Sequence, residues 1–279
     1  MAETEAKTVT SPQDTSREGS ICAGQQTPQT SEKSEIEHGF IDHFNQDVRT
    51  SLFVELQLLL ITVCTGIQDA TTFPDYHCFA SNQTGNTIFL CLAVVIPKLN
   101  GDMFYTANIG TGLGVFLFAG WLTGQLGHVV GPRKRWWLIL CNLVQTCLIF
   151  GATAVQYRYG VHDHGPTAIA VVALLAFAAG SQVVQSRSLA ATEISTAMAT
   201  AAWVDLMIDR KLFVLDNRPR TRRVSFLIAL VAGGFIGALI YRTAGSAVAL
   251  AVSGGGKGLA TLLYAFSGAE KKKINTSMV

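Results

Sequence analysis

The chain has 279 residues, of which 49% are apolar and only 14% charged, with a formal net charge of +2 and a mean hydropathy of +0.34. Soluble domains carry roughly a quarter charged residues, so this composition speaks against an ordinary soluble globular protein and for a membrane protein.

The charge is unevenly spread. Residues 1–50 hold nine Asp/Glu against four Lys/Arg, and the other 229 hold ten against seventeen. A segment so polar cannot bury enough apolar surface to offset its chain entropy, so residues 1–50 are expected to form a disordered, acidic N-terminal tail. No apolar run opens the chain, which speaks against a cleavable secretory signal; the first apolar helix would direct insertion. Just ahead of that helix Ile36, Phe40, Phe44 and Val48 recur every fourth residue. That spacing suits a short helix on the membrane surface, or equally a loose tail.

The membrane domain is expected over 51–266, followed by a basic tail at 267–279. Six stretches, 51–68, 107–130, 136–156, 166–186, 224–242 and 244–266, approach the ~20 residues that a helix needs to cross a hydrocarbon core of ~30 Å. Two more, 78–97 and 189–208, are shorter and interrupted by polar residues. The expected fold is all-α, a polytopic membrane helix bundle. The most basic connections are Arg133-Lys134-Arg135 and the run from Arg210 to Arg223. Eight crossings would put these on opposite faces, whereas six put both basic loops, Arg187 and both termini in the cytoplasm, as the positive-inside rule requires. Six spans with two re-entrant or surface-lying segments is therefore preferred. Seven, with 78–97 crossing and the N-terminus outside, is the competitor. Six cysteines show no CxxC spacing and sit mostly in apolar context, so neither a disulfide framework nor a zinc site is expected.

The halves 51–156 and 166–266 resemble each other weakly. Gly66-x-Gln68 aligns with Gly180-x-Gln182 and, after a two-residue adjustment, Thr84-Gly85 aligns with Thr200-Ala201. Three crossings per half would make the second copy inverted, a plan that recurs in transporters with the site near the midplane. Chance similarity among small residues is the competing explanation.

Gly66-x-x-Asp69-Ala70, followed by Thr84-Gly85-Asn86-Thr87 and an apolar run, resembles the signature of the YoaK family of membrane proteins, defined by a domain of unknown function. The resemblance covers roughly residues 50–266 and includes the Arg-rich loop at 133–135, Gly180–Gln182 and the Leu-Ile-Tyr-Arg ending at Arg242. Many members carry Asn where this chain has Val183, and Thr-Gly where it has Thr200-Ala201. The resemblance implies a multi-span membrane protein and supplies no agreed substrate.

Several residues are candidates for chemistry. Asp69 is either a cation or proton site or a cap on the next element, since an ionisable group at a membrane segment is costly unless paired or wet. Thr84, Gly85 and Asn86 suit either a substrate-facing half-helix or an ordinary helix start. Gln182 is the repeat partner of Gln68. Asp205 suits a polar cavity or the polar face of a surface helix, with Asp209 and Arg210 beside it as an interfacial pair. Lys257, among glycines, suggests a break in the last helix. His162-Asp163-His164 lacks a third spaced ligand and fits an exposed turn better than a metal site. The tryptophans fit an aromatic belt, and the basic loops fit anionic lipid rather than nucleic acid.

No nucleotide-binding P-loop, HExxH or G-x-S-x-G is present, so no enzyme, cofactor or metal is expected. The favoured function is a transporter or channel for a small solute or ion, with Asp69, Thr84, Gly85, Asn86, Gln182 and Asp205 along the path. The alternative is a non-transporting scaffold whose tail recruits partners. Expected surroundings are the lipid bilayer of a plasma membrane or endomembrane, with homo-oligomerisation left open.

Overall fold

The computed structural model describes residues 44–189, 193–214 and 216–267, so the expected N-terminal and C-terminal tails lie almost wholly outside the described residues. The long helices are α1 (Leu52–Tyr76), α3 (Thr106–Val130), α4 (Arg135–Tyr159), α5 (Pro166–Ser188), α7 (Arg218–Ala244) and α8 (Ser246–Ala265). Two short ones interrupt them, α2 (Gln83–Val95) and α6 (Ala199–Met207). Among the described residues, six helices are long and apolar enough to cross a membrane. The fold is an all-helical polytopic bundle, as the hydropathy pattern predicts.

Local chemistry sets the ends of these helices. Ser51 accepts a hydrogen bond from the Val54 N–H, and Asn217 accepts one from the Arg220 N–H, each satisfying an amide that a helix start leaves open. Gly245 alone separates α7 from α8; its φ of 89° is a conformation that side-chain-bearing residues rarely adopt.

Three boundaries depart from expectation. The first span was expected to end near residue 68, yet α1 runs on to Tyr76 and places Asp69 inside the helix. Helix α7 begins at Arg218 rather than 224, because its Arg-rich first turns are helical as well. The expected break at Lys257 is absent: α8 is continuous through its glycines, of which Gly254 and Gly256 pack closely against Phe150 and Cys64. The surface helix suggested by Ile36, Phe40, Phe44 and Val48 does not extend to Val48. That residue is buried in an isolated antiparallel bridge, its N–H donating to the Arg133 carbonyl (2.9 Å). Ile36 and Phe40 lie outside the described residues.

The helices pack in matched pairs. Helix α1 lies along α7 as α5 lies along α3; α4 packs on α5 as α8 packs on α1; and α4 and α8 meet each other. Exchanging α1 with α5, α2 with α6, α3 with α7 and α4 with α8 maps each of these contacts onto another. Three long helices per half make the two halves inverted with respect to each other.

The aligned glycines mark the matching crossings. A Cβ at Gly66 would stand 2.5 Å from the Leu230 carbonyl oxygen, and one at Gly180 would stand 2.3 Å from that of Phe116. Each is the point where backbone meets backbone, the role small residues play where helices pack in lipid.

The short helices also correspond. Helix α2 has 13 residues and α6 has nine, about 20 and 13 Å at the rise of ~1.5 Å per residue, too short to cross. After Tyr76 the chain turns back, and Ser81 bonds Asp69, seven residues earlier in α1 and thus about 10 Å inside its end. Asn86 meets the same depth on α3, where a Cβ on Gly112 would lie 3.4 Å from its amide nitrogen. Helix α2 therefore starts within the bundle and climbs back to the end it came from. Each short helix packs on its own apolar cluster. Phe104, Ile109, Ile149 and Leu250 form one, and Leu58, Ala202, Leu206 and Phe226 form the other.

Gly66→Ala and Gly180→Ala should each cost about 1–3 kcal/mol, because a methyl group there must push two backbones apart. Gly114→Ala, whose Cβ would meet nothing within 4 Å, should stay within about 1 kcal/mol of the parent. Thermal unfolding of the purified protein in detergent checks the order.

Candidate functional site

Four helices meet at the centre, α1 and α4 from the first half and α5 and α8 from the second, and their facing sides are polar. On α1 the stripe runs Gln57, Thr62, Thr65, Gln68, Thr72 and Asp75, all buried. From Thr62 onward these recur at the three- and four-residue spacing that puts side chains on one helix face. Helix α4 contributes Asn142, Gln145, Thr146 and Gln156, α5 contributes Ser181, Gln182 and Gln185, and α8 contributes Ser246, Ser253, Lys257 and Thr261, again buried. Inside a bilayer such groups are costly unless they satisfy one another.

They do so across the helices. Gln68 donates to the Ser253 hydroxyl (2.7 Å), which donates in turn to the Cys64 carbonyl (3.0 Å). Gln182 donates to the Thr65 hydroxyl (2.8 Å), joining α5 to α1. The Gln145 amide donates to Ser181 (3.1 Å) and Gln185 (2.7 Å), while its carbonyl accepts from the Lys257 ammonium (3.0 Å). Gln185 donates onward to the Leu138 carbonyl (3.1 Å).

A second cluster closes the seam at the end away from the Arg-rich loops. The Asp75 carboxylate accepts from the hydroxyls of Ser246 and Tyr241 (the latter 2.9 Å) and from Gln156 (3.4 Å), and Gln156 also donates to Tyr76 (2.7 Å). This ties α1, α4, α7 and α8 together. Between the two polar regions α4 and α8 present Ile149, Ala152, Ala249 and Leu250, all fully buried. The seam is therefore a polar middle and a polar end divided by an apolar layer.

The end that carries the Arg-rich loops is closed by ion pairs. Glu55 holds Arg218 and Arg222, each at 2.6 Å, and Arg222 reaches Glu193 at 3.2 Å, so the start of α1 is bound to the start of α7 and to the link before α6. Charge-assisted pairs of this length are among the stronger polar contacts. Ser267 sits beside them, accepting from Gln57 (3.1 Å) and, through its carbonyl, from Arg135.

The residues proposed from sequence fall in three places. Asp69 accepts from both the N–H (3.2 Å) and the hydroxyl (2.5 Å) of Ser81. Asn86 accepts from the Phe79 N–H (3.0 Å) and donates to the Phe79 carbonyl (2.7 Å). Together they pin the turn that feeds α2. Thr84 is exposed, and Gly85 lies against the Phe79 ring. Gln182 alone is part of the central seam. Asp205 is at the other end, half exposed and 3.7 Å from Arg223. It lines a cleft of about 100 Å³ with Ser186, Arg187, Glu193, Ser195 and Arg223. These residues do not form one continuous path.

Two smaller expectations also change. Asp209 pairs with Arg223 (3.7 Å) rather than Arg210, and the Lys211 N–H and the Asn217 amide hold its carboxyl below the usual range. In His162-Asp163-His164, Asp163 accepts from the Tyr105 hydroxyl (2.6 Å) and pairs with His164 (2.6 Å), which keep its carboxyl below the ordinary value. Its carbonyl is held by Asn108 (2.8 Å), so the motif fastens the α4–α5 turn to α3.

Gln145, Gln156, Gln185, Ser253 and Asp75 were not singled out from sequence, yet they build the seam. The available signal was polar periodicity within apolar spans, the reverse of the usual amphipathic pattern.

Residues 57–263 match the model of a family described as protein of unknown function (DUF1275), which spans the six long helices. The chain belongs to that family. No curated protein and no solved structure matches it.

Asp75→Ala would leave the buried donors of Ser246 and Gln156 and the half-buried Tyr241 hydroxyl without their acceptor and should cost about 2–3 kcal/mol. Tyr241→Phe removes a single donor and should cost about 1 kcal/mol. Unfolding midpoints in detergent rank the two.

Proposed function

We propose that the protein is a membrane transporter or channel for a small solute or ion, and that the solute moves along the polar seam between the two halves. The observation that carries this reading is the seam itself. Both inverted halves contribute buried Gln, Ser, Thr and Lys side chains to one midplane cluster. Polar residues so placed are expensive in a bilayer and mark pathways, and inverted repeats place their sites at this level.

The apolar layer of Ile149, Ala152, Ala249 and Leu250 would act as the barrier, with the Asp75 cluster beyond it and the Glu55 ion pairs at the opposite end. Opening would require the close-packed crossings at Gly66 and Gly180 to rock, bringing one end of the seam into contact with water at a time. Asp69 and Asn86 would act by fixing the re-entrant α2 rather than by touching solute. The charge distribution supports cytoplasmic placement of the Arg-rich loops and of both termini. Within its family, the Gly66-x-x-Asp69-Ala70 and Thr84-Gly85-Asn86-Thr87 motifs support assignment to the YoaK-like branch. No bond-making chemistry is assigned to the chain.

Reconstituted vesicles carrying the protein should take up at least one solute from a panel of small ions and neutral metabolites. Gln145→Leu should slow that uptake by about tenfold, equivalent to ~1.4 kcal/mol. Vesicles that take up nothing beyond protein-free controls across the panel would refute transport.

A further inference from the structure

The Lys257 side chain is fully buried, at the twelfth of the 20 positions of α8. At ~1.5 Å per residue it lies about 16 Å from one end of that helix and 12 Å from the other, so it sits at mid-bundle. Its one hydrogen bond is to the neutral Gln145 carbonyl, at 3.0 Å. An ammonium offers three donors and a full charge. Among the described residues no carboxylate stands within ion-pair distance of it, and the buried carboxylates are committed elsewhere. Asp75 is bound to Ser246, Tyr241 and Gln156, Asp69 to Ser81, and Glu55 to Arg218 and Arg222.

The groups that converge beside Lys257 are amides and hydroxyls. Gln145 reaches Ser181 and Gln185, Cys64 lies on the facing side of α1, and Thr146 and Thr261 approach within 3.5 Å of each other one turn away. The Thr146 and Thr261 hydroxyls donate to the Asn142 and Lys257 backbone carbonyls (2.8 and 2.9 Å), whereas the Ser181 hydroxyl accepts from Gln145 and keeps its own proton to donate. Among the described residues, Lys257 thus has one neutral acceptor, a serine hydroxyl one amide away and no carboxylate.

We propose that Lys257, with Gln145 and Ser181, forms a binding site for a small monoanion midway through the bundle. This rests on the transport reading and deepens it: the solute that passes the seam is anionic. Lys257 and Ser181 both bond the one Gln145 amide, so the guest would be no larger than a halide, nitrate, or a carboxylate of one or two carbons. A protonated Lys257 is costly to bury without a carboxylate, and such an anion supplies the counter-charge that the protein withholds.

The test uses the purified full chain and needs no flux. Thermal unfolding is followed in sodium chloride, nitrate, formate and acetate at constant ionic strength, with sodium gluconate as the bulky reference. At least one small anion should raise the midpoint in a saturable way, as a ligand of the native state must. Lys257→Met should weaken that anion by about a hundredfold or more. Its unfolding in gluconate should be no earlier than the parent's, because the substitution removes a buried amine that has no counter-ion. If this variant does not fold, Gln145→Leu serves instead and should weaken the same anion by about tenfold. An undiminished response in the folded variant, or no saturable response to any of the four anions in the parent, overturns the proposal.

The two readings separate cleanly. Anion binding without vesicle uptake would remove transport and keep the site. Uptake of a cation or neutral solute by a protein that ignores all four anions would do the reverse.

Discussion

Backbone-to-backbone approach at Gly66 and Gly180 is the constraint from which the rest of the architecture follows. Inside a bilayer helices gain little from hiding apolar surface, since lipid is as apolar as leucine; they associate by close packing and by hydrogen bonds. Where Gly66 meets α7 and Gly180 meets α3, there is no room for even a methyl group. With those faces of α1 and α5 taken up by α7 and α3, glutamine, serine and threonine side chains on other faces of α1 and α5 reach one another and α4 and α8 at 2.7–3.1 Å.

The two halves share a plan but differ in chemistry. In the first, Asp69 reaches back to Ser81 and anchors the start of α2 well inside the bundle. At the aligned position the second half has Val183, which forms no such anchor, and the link before α6 is held instead by the Thr196–Ser186 hydroxyl contact (3.5 Å) and by Glu193 on Arg222. One half therefore fixes its short helix by a carboxylate within the membrane domain, the other by ion pairs at the end that carries the Arg-rich loops. The seam is asymmetric too: its single fully buried ammonium belongs to α8, and the carboxylate cluster around Asp75 lies beyond the apolar layer.

Much of this was legible in the sequence. Long apolar runs and basic loops predict six long helices with two short ones, and the Gly-x-Gln pairs expose the repeat. What the sequence concealed has physical causes. Hydropathy stops at Asp69 because a carboxylate looks like an end, yet the helix continues where Ser81 satisfies that carboxylate. Three glycines beside Lys257 look like a break, yet Gly254 packs against Phe150 and Gly256 against Cys64, so small size serves close contact rather than flexibility. The seam itself was missed because Gln145, Gln156 and Gln185 lie singly in different spans, and only the packing of those spans shows that they face a common interior. Of the motif that stands out in sequence, Asp69 and Asn86 hold the turn that feeds α2.

The central claim is an inverted pair of three-span halves with two short helices that do not cross. Cysteine accessibility in intact membranes tests it most directly, with single cysteines at 98, 133, 187 and 211 in a chain otherwise freed of them. The account predicts that positions 133, 187 and 211 react from one face and position 98 from the other. Positions 133 and 211 reacting from opposite faces would contradict it.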